Sequence, residues 1–273
     1  MKQILFQWGP FSLPSYGFFV GMAFVIVMYL SERRGNEIGI PRPVMLDFLF
    51  IVSVGAIIGS SLLNFIFSGE AIRIARVSHE GRSFFAGMSG GSIVGLLYLK
   101  IRNIPILPIG DIIFLNLPLG HSIGRIGCWF YGCCYGKICP QIFPFGVQFP
   151  RYDDFNGEIA GSRAFKKHLS LGLIDKNEQW SLTVYPTQLF AISYLLILFI
   201  ILRILYAKPS IRMRPGCIIF IYCLLNGIFR FLEEIFRVNV RYWRLLTNAQ
   251  IVSIVIVMIG IIGLIIVLRK PQQ

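Results

Sequence analysis

The sequence predicts an all-α integral membrane protein with about seven transmembrane helices and one extracytoplasmic loop insertion. Hydrophobic residues make up 55% of the 273 residues and charged residues only 14%. A chain this apolar exceeds what one soluble core can bury, whereas a bilayer would solvate it. In addition, apolar runs of about 20 residues, the length that crosses a bilayer as a helix, recur along the chain.

Seven apolar runs follow one another in order, at residues 16–31, 43–67, 84–100, 107–130, 184–206, 216–236 and 249–268. Small residues, which allow membrane helices to pack closely, lie in the second run at Gly55, Gly59, Ser60 and Ser61. Residues 1–15 lack the basic start and immediate apolar stretch of a cleaved signal, so we expect them to be retained.

The longest connection between apolar runs covers residues 137–183. It contains Asp153, Asp154, Lys166, Lys167 and a polar stretch that reaches Trp180. We therefore predict a single integral membrane domain, residues 1–273, with residues 137–183 forming an extracytoplasmic head that has short elements of its own.

The formal net charge of +13 indicates contact with lipid phosphates rather than nucleic acid, because the basic residues lie in short segments between apolar runs. With the amino terminus outside and the carboxyl terminus in the cytoplasm, eleven Lys and Arg fall inside: Arg33, Arg34, Arg42, Lys100, Arg102, Arg203, Lys208, Arg212, Arg214, Arg269 and Lys270. Seven fall on short outside segments: Lys2, Arg73, Arg76, Arg82, Arg237, Arg241 and Arg244. The excess inside predicts this orientation.

The candidate site consists of the ionisable residues that lie within the apolar runs. Arg125 lies in the fourth run, where an arginine costs at least about 2.5 kcal/mol on insertion scales. His121 lies four residues earlier, hence on the same helix face. Arg230 and Glu234 repeat this spacing in the sixth run. Two arginines and a carboxylate in apolar surroundings predict a phosphate site.

A structural explanation competes with each of these assignments. Arg230 and Glu234 could form a plain salt bridge near the interface, with the arginine reaching the headgroups. A lone histidine such as His121 is often a packing residue. We expect Glu233, next to Glu234, to be solvated.

Four cysteines cluster at Cys128, Cys133, Cys134 and Cys139. They could form disulfides, with three pairings open, or bind a metal. The spacing lacks the paired CxxC of common zinc sites and the chain has only three histidines, so a packing or disulfide role is favoured. We predict no metal and no cofactor.

The segment from Gly124 to Gly136, GRIGCWFYGCCYG, resembles the signature of prolipoprotein diacylglyceryl transferases, in the branch where cysteines replace the Asn and Glu of the better-known form. Further resemblances follow in chain order: Ser15-Tyr16-Gly17, Ala86-Gly87-Met88-Ser89, Tyr185-Pro186-Thr187-Gln188-Leu189-Phe190, Phe229-Arg230 with Glu234-Ile235-Phe236-Arg237, and Asn248-Ala249-Gln250-Ile251-Val252-Ser253.

The resemblance implies transfer of a diacylglyceryl group from phosphatidylglycerol to the lipobox cysteine of preprolipoproteins, at the outer face of the bacterial plasma membrane. It implies phosphatidylglycerol, preprolipoproteins and membrane lipids as partners. On this hypothesis, arginines hold the phosphate, Glu234 orients an arginine and His121 is the candidate base. The residues expected at the substrate and lipid are Tyr16, Arg125, Arg230, Gln188 and Gln250.

Four positions depart from the family pattern. No histidine precedes Gly90-Gly91, an expected arginine is replaced around Ser60-Ser61, Cys133 stands at the family glutamate, and Asn226 at a family tyrosine. Either His121 takes over as base, or the chain is a diverged relative that binds or transports lipids or anions. A thiol-redox protein is a third class, but its expected CxxC does not occur in this chain.

Overall fold

The computed structural model describes residues 4–8, 11–68, 81–140, 142–151, 161–237, 241–242 and 246–269. The chain begins with a hairpin of β1 (Ile4–Trp8) and β2 (Phe11–Pro14). The helices are α1 (Ser15–Glu37), α2 (Arg42–Ser68), α3 (Gly81–Ile101), α4 (Ile106–Tyr131), α5 (Arg163–Ser170), α6 (Thr187–Tyr206), α7 (Pro209–Arg212), α8 (Cys217–Glu233) and α9 (Asn248–Arg269). A 3-10 turn (Glu234–Phe236) and the short hairpin of β3 (Arg241–Tyr242) and β4 (Leu246–Thr247) separate α8 from α9. The predicted all-α class is confirmed.

A helix lies at each of the seven predicted apolar runs. Within the described residues, five are long and apolar enough to cross a membrane: α1, residues Arg42–Leu62 of α2, α4, α6 and α9. The third run appears as a shorter apolar helix, Ala86–Ile101, and α8 has 17 residues. The protein is therefore a multi-pass membrane protein, and the count of seven spans stays a prediction.

The chain divides into two compact units. The first contains Met1–Val27 and Ile113–Gln273, and the second contains Met28–Ile112. All the candidate site residues of the sequence analysis belong to the first unit.

In the second unit, glycines bring α2 and α3 into close contact. A Cβ added to Gly59 would lie 2.6 Å from the carbonyl oxygen of Ala86, and one added to Gly90 would lie 2.5 Å from that of Gly55. Only glycine permits these backbone approaches, so the packing role predicted for Gly55 and Gly59 is confirmed.

In the first unit, α8 packs on α9 in the same way, since a Cβ on Gly260 would lie 2.7 Å from the amide nitrogen of Leu224. Leu198 and Leu202 of α6 form a core with Ile218 and Tyr222 of α8. Large apolar side chains remain exposed on the outer faces, including Ile254, Val255, Met258, Ile262 and Ile266 of α9. A bilayer would cover such a surface.

The long connection folds onto the end of α4. Backbone bridges join Val147 to Val184 and Pro150 to Trp180, and Phe149 and Ala164 are buried against Trp129. Helix α5 begins at a side-chain cap in which the hydroxyl oxygen of Ser162 accepts from the Phe165 N–H. The connection thus has the short elements expected of it, while Asp153 and Asp154 lie outside the described residues.

Candidate active site

One face of α4 carries His121, Arg125 and Cys128, at spacings of four and three residues. The Arg125 Nε–H donates to His121 Nε2 over 3.4 Å, so the contact predicted from their spacing is present. Helix α1 approaches this half of α4 at Gly127, where an added Cβ would lie 3.3 Å from the Cα of Tyr16. Tyr16, at the start of α1, therefore stands beside the signature segment.

Helix α4 ends in a Schellman motif that folds the chain back. Gly132 has a φ of +70°, and the Cys133 N–H donates to the Cys128 carbonyl over 3.2 Å while the Gly132 N–H donates to Trp129. Cys134 follows with a φ of +59°, a left-handed conformation that is unusual for a residue other than glycine. The turn places Cys133 and Cys134 next to Cys128.

The sulfur atoms of Cys128, Cys133 and Cys134 all lie within 4.8 Å of one another. None of the six cysteines, all of which are among the described residues, forms a disulfide, so the disulfide alternative is not seen. Cys139 lies elsewhere, with its Sγ next to Gly146 and its N–H bonded to the Thr183 carbonyl. Three cysteines, not four, form the cluster.

The start of α6 holds this turn in place. The Thr187 hydroxyl donates to the Cys134 carbonyl over 2.6 Å, and the Gln188 Nε2–H donates to the Cys133 carbonyl over 2.7 Å. Gln188 is fully buried, and its Oε1 has no hydrogen-bond partner among the described residues. The motif that contains Thr187 and Gln188 therefore positions the cysteines in the present structure.

The end of α8 is joined to the same turn. The Lys137 N–H donates to the Phe236 carbonyl over 2.7 Å, and the Gly136 N–H donates to the Tyr185 carbonyl over 2.9 Å. A Cβ on Gly136 would lie 2.7 Å from the Phe236 oxygen. Glycine at this position thus lets three segments of the chain meet.

Two arginines and two carboxylates form a buried ion-pair cluster at the end of α8. Arg230 Nη2 lies 2.6 Å from Glu234 Oε2, as the spacing of four predicts, and Arg230 Nη1 lies 3.5 Å from Glu233 Oε2. Arg237 Nη1 lies 3.4 Å from Glu233 Oε1, and its Nε 3.7 Å from Glu234 Oε2. Glu233 is only 4% exposed, so the expectation that it is solvated was wrong. Its pairing with two arginines makes burial of the charge tolerable.

Arg125 differs from these two arginines. Among the described residues no carboxylate lies within ion-pair distance of it, although Glu233, Cys134 and Tyr194 act on it electrostatically. With Arg230, Arg237 and the two glutamates, it completes a group of three positive and two negative charges. Counted without the thiols, the group has a surplus of one positive charge, which one further negative charge would balance, either a Cys134 thiolate or a phosphodiester.

Charge around the turn also shifts the pKa of groups beyond the helices. Burial by itself would lower the pKa of Arg237, but negative charge on Cys134 and Glu233 outweighs it and raises that pKa. Thiol hydrogen bonds from Cys128 and Cys133, aided by Arg237, lower the pKa of Cys134 well below its usual range. The turn is an environment that favours a thiolate.

Tyr194 of α6 was not singled out by the sequence analysis. Its ring stacks on Phe229 at 5.2 Å, and its buried hydroxyl has no hydrogen-bond partner among the described residues. Glu233, Arg125 and Arg230 act on it electrostatically. Asn226, at the family tyrosine position, has a buried Oδ1 that likewise lacks a partner in the described chain. Tyr194 therefore supplies a phenol hydroxyl near Arg125 and Arg230, whereas Asn226, at the position of the family tyrosine, has none.

Gln250 forms a capping box at the start of α9. Its Oε1 accepts from the Thr247 N–H over 3.0 Å, and its own N–H donates to the Thr247 hydroxyl over 3.2 Å. Arg237, by contrast, was expected only as a topology residue and as part of the resemblance at residues 234–237, with no role in the site. Its spacing of four from Glu233 was the signal that could have found it.

Comparisons with known proteins place the chain in a family. Residues 3–266 match the sequence model of the family described as prolipoprotein diacylglyceryl transferase. A protein of Clostridium tetani (strain Massachusetts / E88), named phosphatidylglycerol–prolipoprotein diacylglyceryl transferase, is 25% identical over 96% of this chain and 96% of its own length. Proteins of the same name from Escherichia coli (strain K12 / DH10B) and Shigella boydii serotype 18 (strain CDC 3083-94 / BS512) are 27% identical, over 99% of this chain and 94% of theirs. This chain belongs to the prolipoprotein diacylglyceryl transferase family.

Proposed function

We propose that this protein transfers a diacylglyceryl group from phosphatidylglycerol to the lipobox cysteine thiol of preprolipoproteins in the bacterial plasma membrane. The names of its relatives support these substrates. The observation that carries the proposal is Arg125, a guanidinium without an ion-pair partner in the described chain, beside a cluster in which two arginines balance two carboxylates.

In the proposed reaction the substrate thiolate attacks the glyceryl carbon next to the phosphate. The carbon–oxygen bond breaks, and its electron pair leaves with the phosphate oxygen of glycerol phosphate. Arg125 and Arg230 stabilise the charge that develops on this oxygen. Glu234 orients Arg230 through the 2.6 Å contact. Tyr16 and Tyr194 donate hydrogen bonds to headgroup oxygens.

The polar amides have less direct places in this proposal. Gln188 contributes its unpaired Oε1 to a substrate donor while its Nε2 holds Cys133. Gln250 supports the lipid site by fixing the start of α9.

His121 is the proposed acceptor of the thiol proton, but its Nε2 accepts a hydrogen bond from Arg125 in this structure and would have to release it. Two variants separate a base from a residue that only positions Arg125. His121→Gln retains an acceptor for Arg125, whereas His121→Ala does not. If His121 is the base, both variants lose most of their lipidation. The activity that they retain then lacks the acidic limb of the wild-type pH–rate profile. Activity in His121→Gln alone would assign it a positioning role.

We further propose that the amino terminus and residues 137–183 lie outside the cytoplasm. The start of α1, the end of α4, the start of α6 and the end of α8 meet at the site, as alternating spans require. Arg237 is buried in ion pairs, so it should not count among outside topology charges, and the balance becomes eleven against six. A fluorescent protein fused to the carboxyl terminus should therefore fluoresce in the cytoplasm.

Complementation tests the activity directly. The chain is expressed in a bacterium depleted of its own diacylglyceryl transferase, and lipidation of a reporter lipoprotein is followed beside Arg125→Ala. Lipidation by the wild type and not by the variant is expected. Well-inserted wild-type protein that lipidates nothing would contradict the proposal and favour a diverged relative that binds or transports lipids or anions.

A further inference from the structure

We propose that Cys128, Cys133 and Cys134 bind one thiophilic divalent cation, such as Zn²⁺, and leave its fourth coordination position to the substrate thiol. This inference rests on the proposed function for the identity of the fourth ligand. It goes against the sequence-based expectation of no metal, which followed from the absence of a CxxC pair.

Geometry carries the first step. Zinc bound to thiolates has a Zn–S distance of about 2.3 Å, so ligands at tetrahedral angles have sulfurs about 3.8 Å apart. The three sulfurs already lie within 4.8 Å of one another. Cys128 is on α4, and the Schellman turn supplies the other two ligands, which explains how adjacent cysteines reach one point without a CxxC spacing.

The turn is held as a ligand site needs to be held. The carbonyls of Cys133 and Cys134 accept hydrogen bonds from the side chains of Gln188 and Thr187. The left-handed backbone at Cys134 is an uncommon conformation kept by these contacts. Fixed ligands of this kind are typical of metal sites, in which neighbouring groups orient the ligands.

Charge and exposure point to an open site. Three thiolates around a divalent cation carry one net negative charge, and Arg125 and Arg237 act electrostatically on Cys134 from nearby. Cys128 and Cys133 are 8% and 3% exposed, whereas Cys134 is partly exposed. Three protein ligands with one free position are the pattern of catalytic zinc sites, whereas structural sites are closed by four.

A cation bound here would promote deprotonation of the substrate thiol. His121 could accept that proton only after releasing its hydrogen bond from Arg125. A thiol that coordinates zinc gives up its proton outright, in this case to water, and His121 then keeps only the role of positioning Arg125 that activity in His121→Gln would assign to it. The bound thiolate then forms the S–C bond while the C–O bond breaks toward the phosphate. One negative thiolate and one singly charged phosphodiester yield a neutral thioether and a doubly charged glycerol phosphate, so charge balances. The neutral thioether is a poorer ligand and leaves.

A disulfide is the competing fate of close thiols. It would use two of the three sulfurs and leave the third without a role, whereas a cation uses all three. All three are free in this structure.

The test uses the full chain in detergent, loaded with Zn²⁺ for metal analysis and with Co²⁺ for absorption spectroscopy. Cys133→Ser is compared with Cys139→Ser and Cys223→Ser, matched controls outside the cluster. We expect one ion per chain and sulfur-to-cobalt charge-transfer bands in the wild type and both controls, and loss of both in Cys133→Ser. Should Cys133→Ser fail to fold by size exclusion, Cys134→Ser replaces it.

A lipobox peptide is then added to the Co²⁺ protein. A peptide with cysteine should change the tetrahedral cobalt bands, and the same peptide with serine should not. The proposal is overturned if the wild type binds no more ion than Cys133→Ser, if mass spectrometry finds a disulfide within the cluster, or if the cysteine peptide leaves the spectrum unchanged. It is also overturned if metal-free Cys133→Ser lipidates as fast as the wild type.

Failure of the proposed function gives a different pattern. In that case the ion binds and is lost in Cys133→Ser, but the wild type lipidates no reporter. The metal site would then stand, and the transferase assignment would fall.

Discussion

Arg125→Ala separates phosphate binding from structural support more sharply than any other substitution in the site. Arg230 and Arg237 are each held by two carboxylates, so their removal disturbs activity and folding together. Within the described part of the chain, Arg125 has a single hydrogen bond, 3.4 Å long, to His121. Its loss should therefore affect the reaction and leave the fold intact.

The expected magnitudes follow from these contacts. Removing one donor that stabilises an oxyanion in the transition state costs about 10²–10³-fold in rate, or about 3–4 kcal/mol. On the stability side, the variant loses a hydrogen bond from a charged donor, which contributes about 1.5–3 kcal/mol and less when it is as long as 3.4 Å. It also escapes the cost of at least about 2.5 kcal/mol for an arginine in the membrane. Thermal stability should therefore be unchanged or slightly higher.

The assay measures kcat/KM for diacylglyceryl transfer to a lipobox peptide, and melting temperature in the same detergent. Arg33→Ala, an exposed arginine of α1, is the matched control and should retain both. If Arg125→Ala kept its kcat/KM within about threefold, well short of the loss given above, phosphate stabilisation by Arg125 would be refuted. A large drop in melting temperature would instead show that Arg125 supports the fold.

Three further outcomes are expected. Glu234→Ala should destabilise the protein by about 3–5 kcal/mol in detergent unfolding, because it leaves Arg230 with a weakened set of partners; a change under about 1 kcal/mol would contradict the buried cluster. Gly136→Ala should abolish lipidation and lower the melting temperature, since its Cβ would lie 2.7 Å from the Phe236 oxygen. The control Gly124→Ala should fold normally, because nothing lies within 4 Å of a Cβ added there. Burial lowers the pKa of His168, whose Nδ1 accepts from the Leu182 N–H. The unfolded chain therefore binds the proton more readily, and the melting temperature should fall as the pH drops below about 6.5; His168→Gln should flatten this dependence.

Much of the fold could be predicted because the bilayer imposes a strong rule on composition. Every predicted apolar run contains a helix, since an apolar segment in lipid must satisfy its backbone internally. Spacing along a helix also predicted the contacts between His121 and Arg125 and between Arg230 and Glu234.

Prediction from sequence was weakest where the chain leaves regular helix. Glu233 was expected in solvent because its hydrophilic character was considered without its partners, whereas Arg230 and Arg237 both contact it. The thiol cluster was likewise missed as a group of three. Linear spacing does not reveal that a Schellman turn returns Cys133 and Cys134 to Cys128.

The sequence by itself determined the class, the family and the pairs of ionisable residues on one helix, because helical periodicity and lipid solvation act locally. Only the tertiary structure decided which of these charges are neutralised and which stay available. Arg125 keeps its charge without an ion pair in the described chain, while Arg230 and Arg237 share Glu233 and Glu234. The four ion pairs follow helical spacings of three and four within one segment, whereas the lack of a carboxylate partner for Arg125 depends on distances from α4 to other segments, which no local pattern encodes.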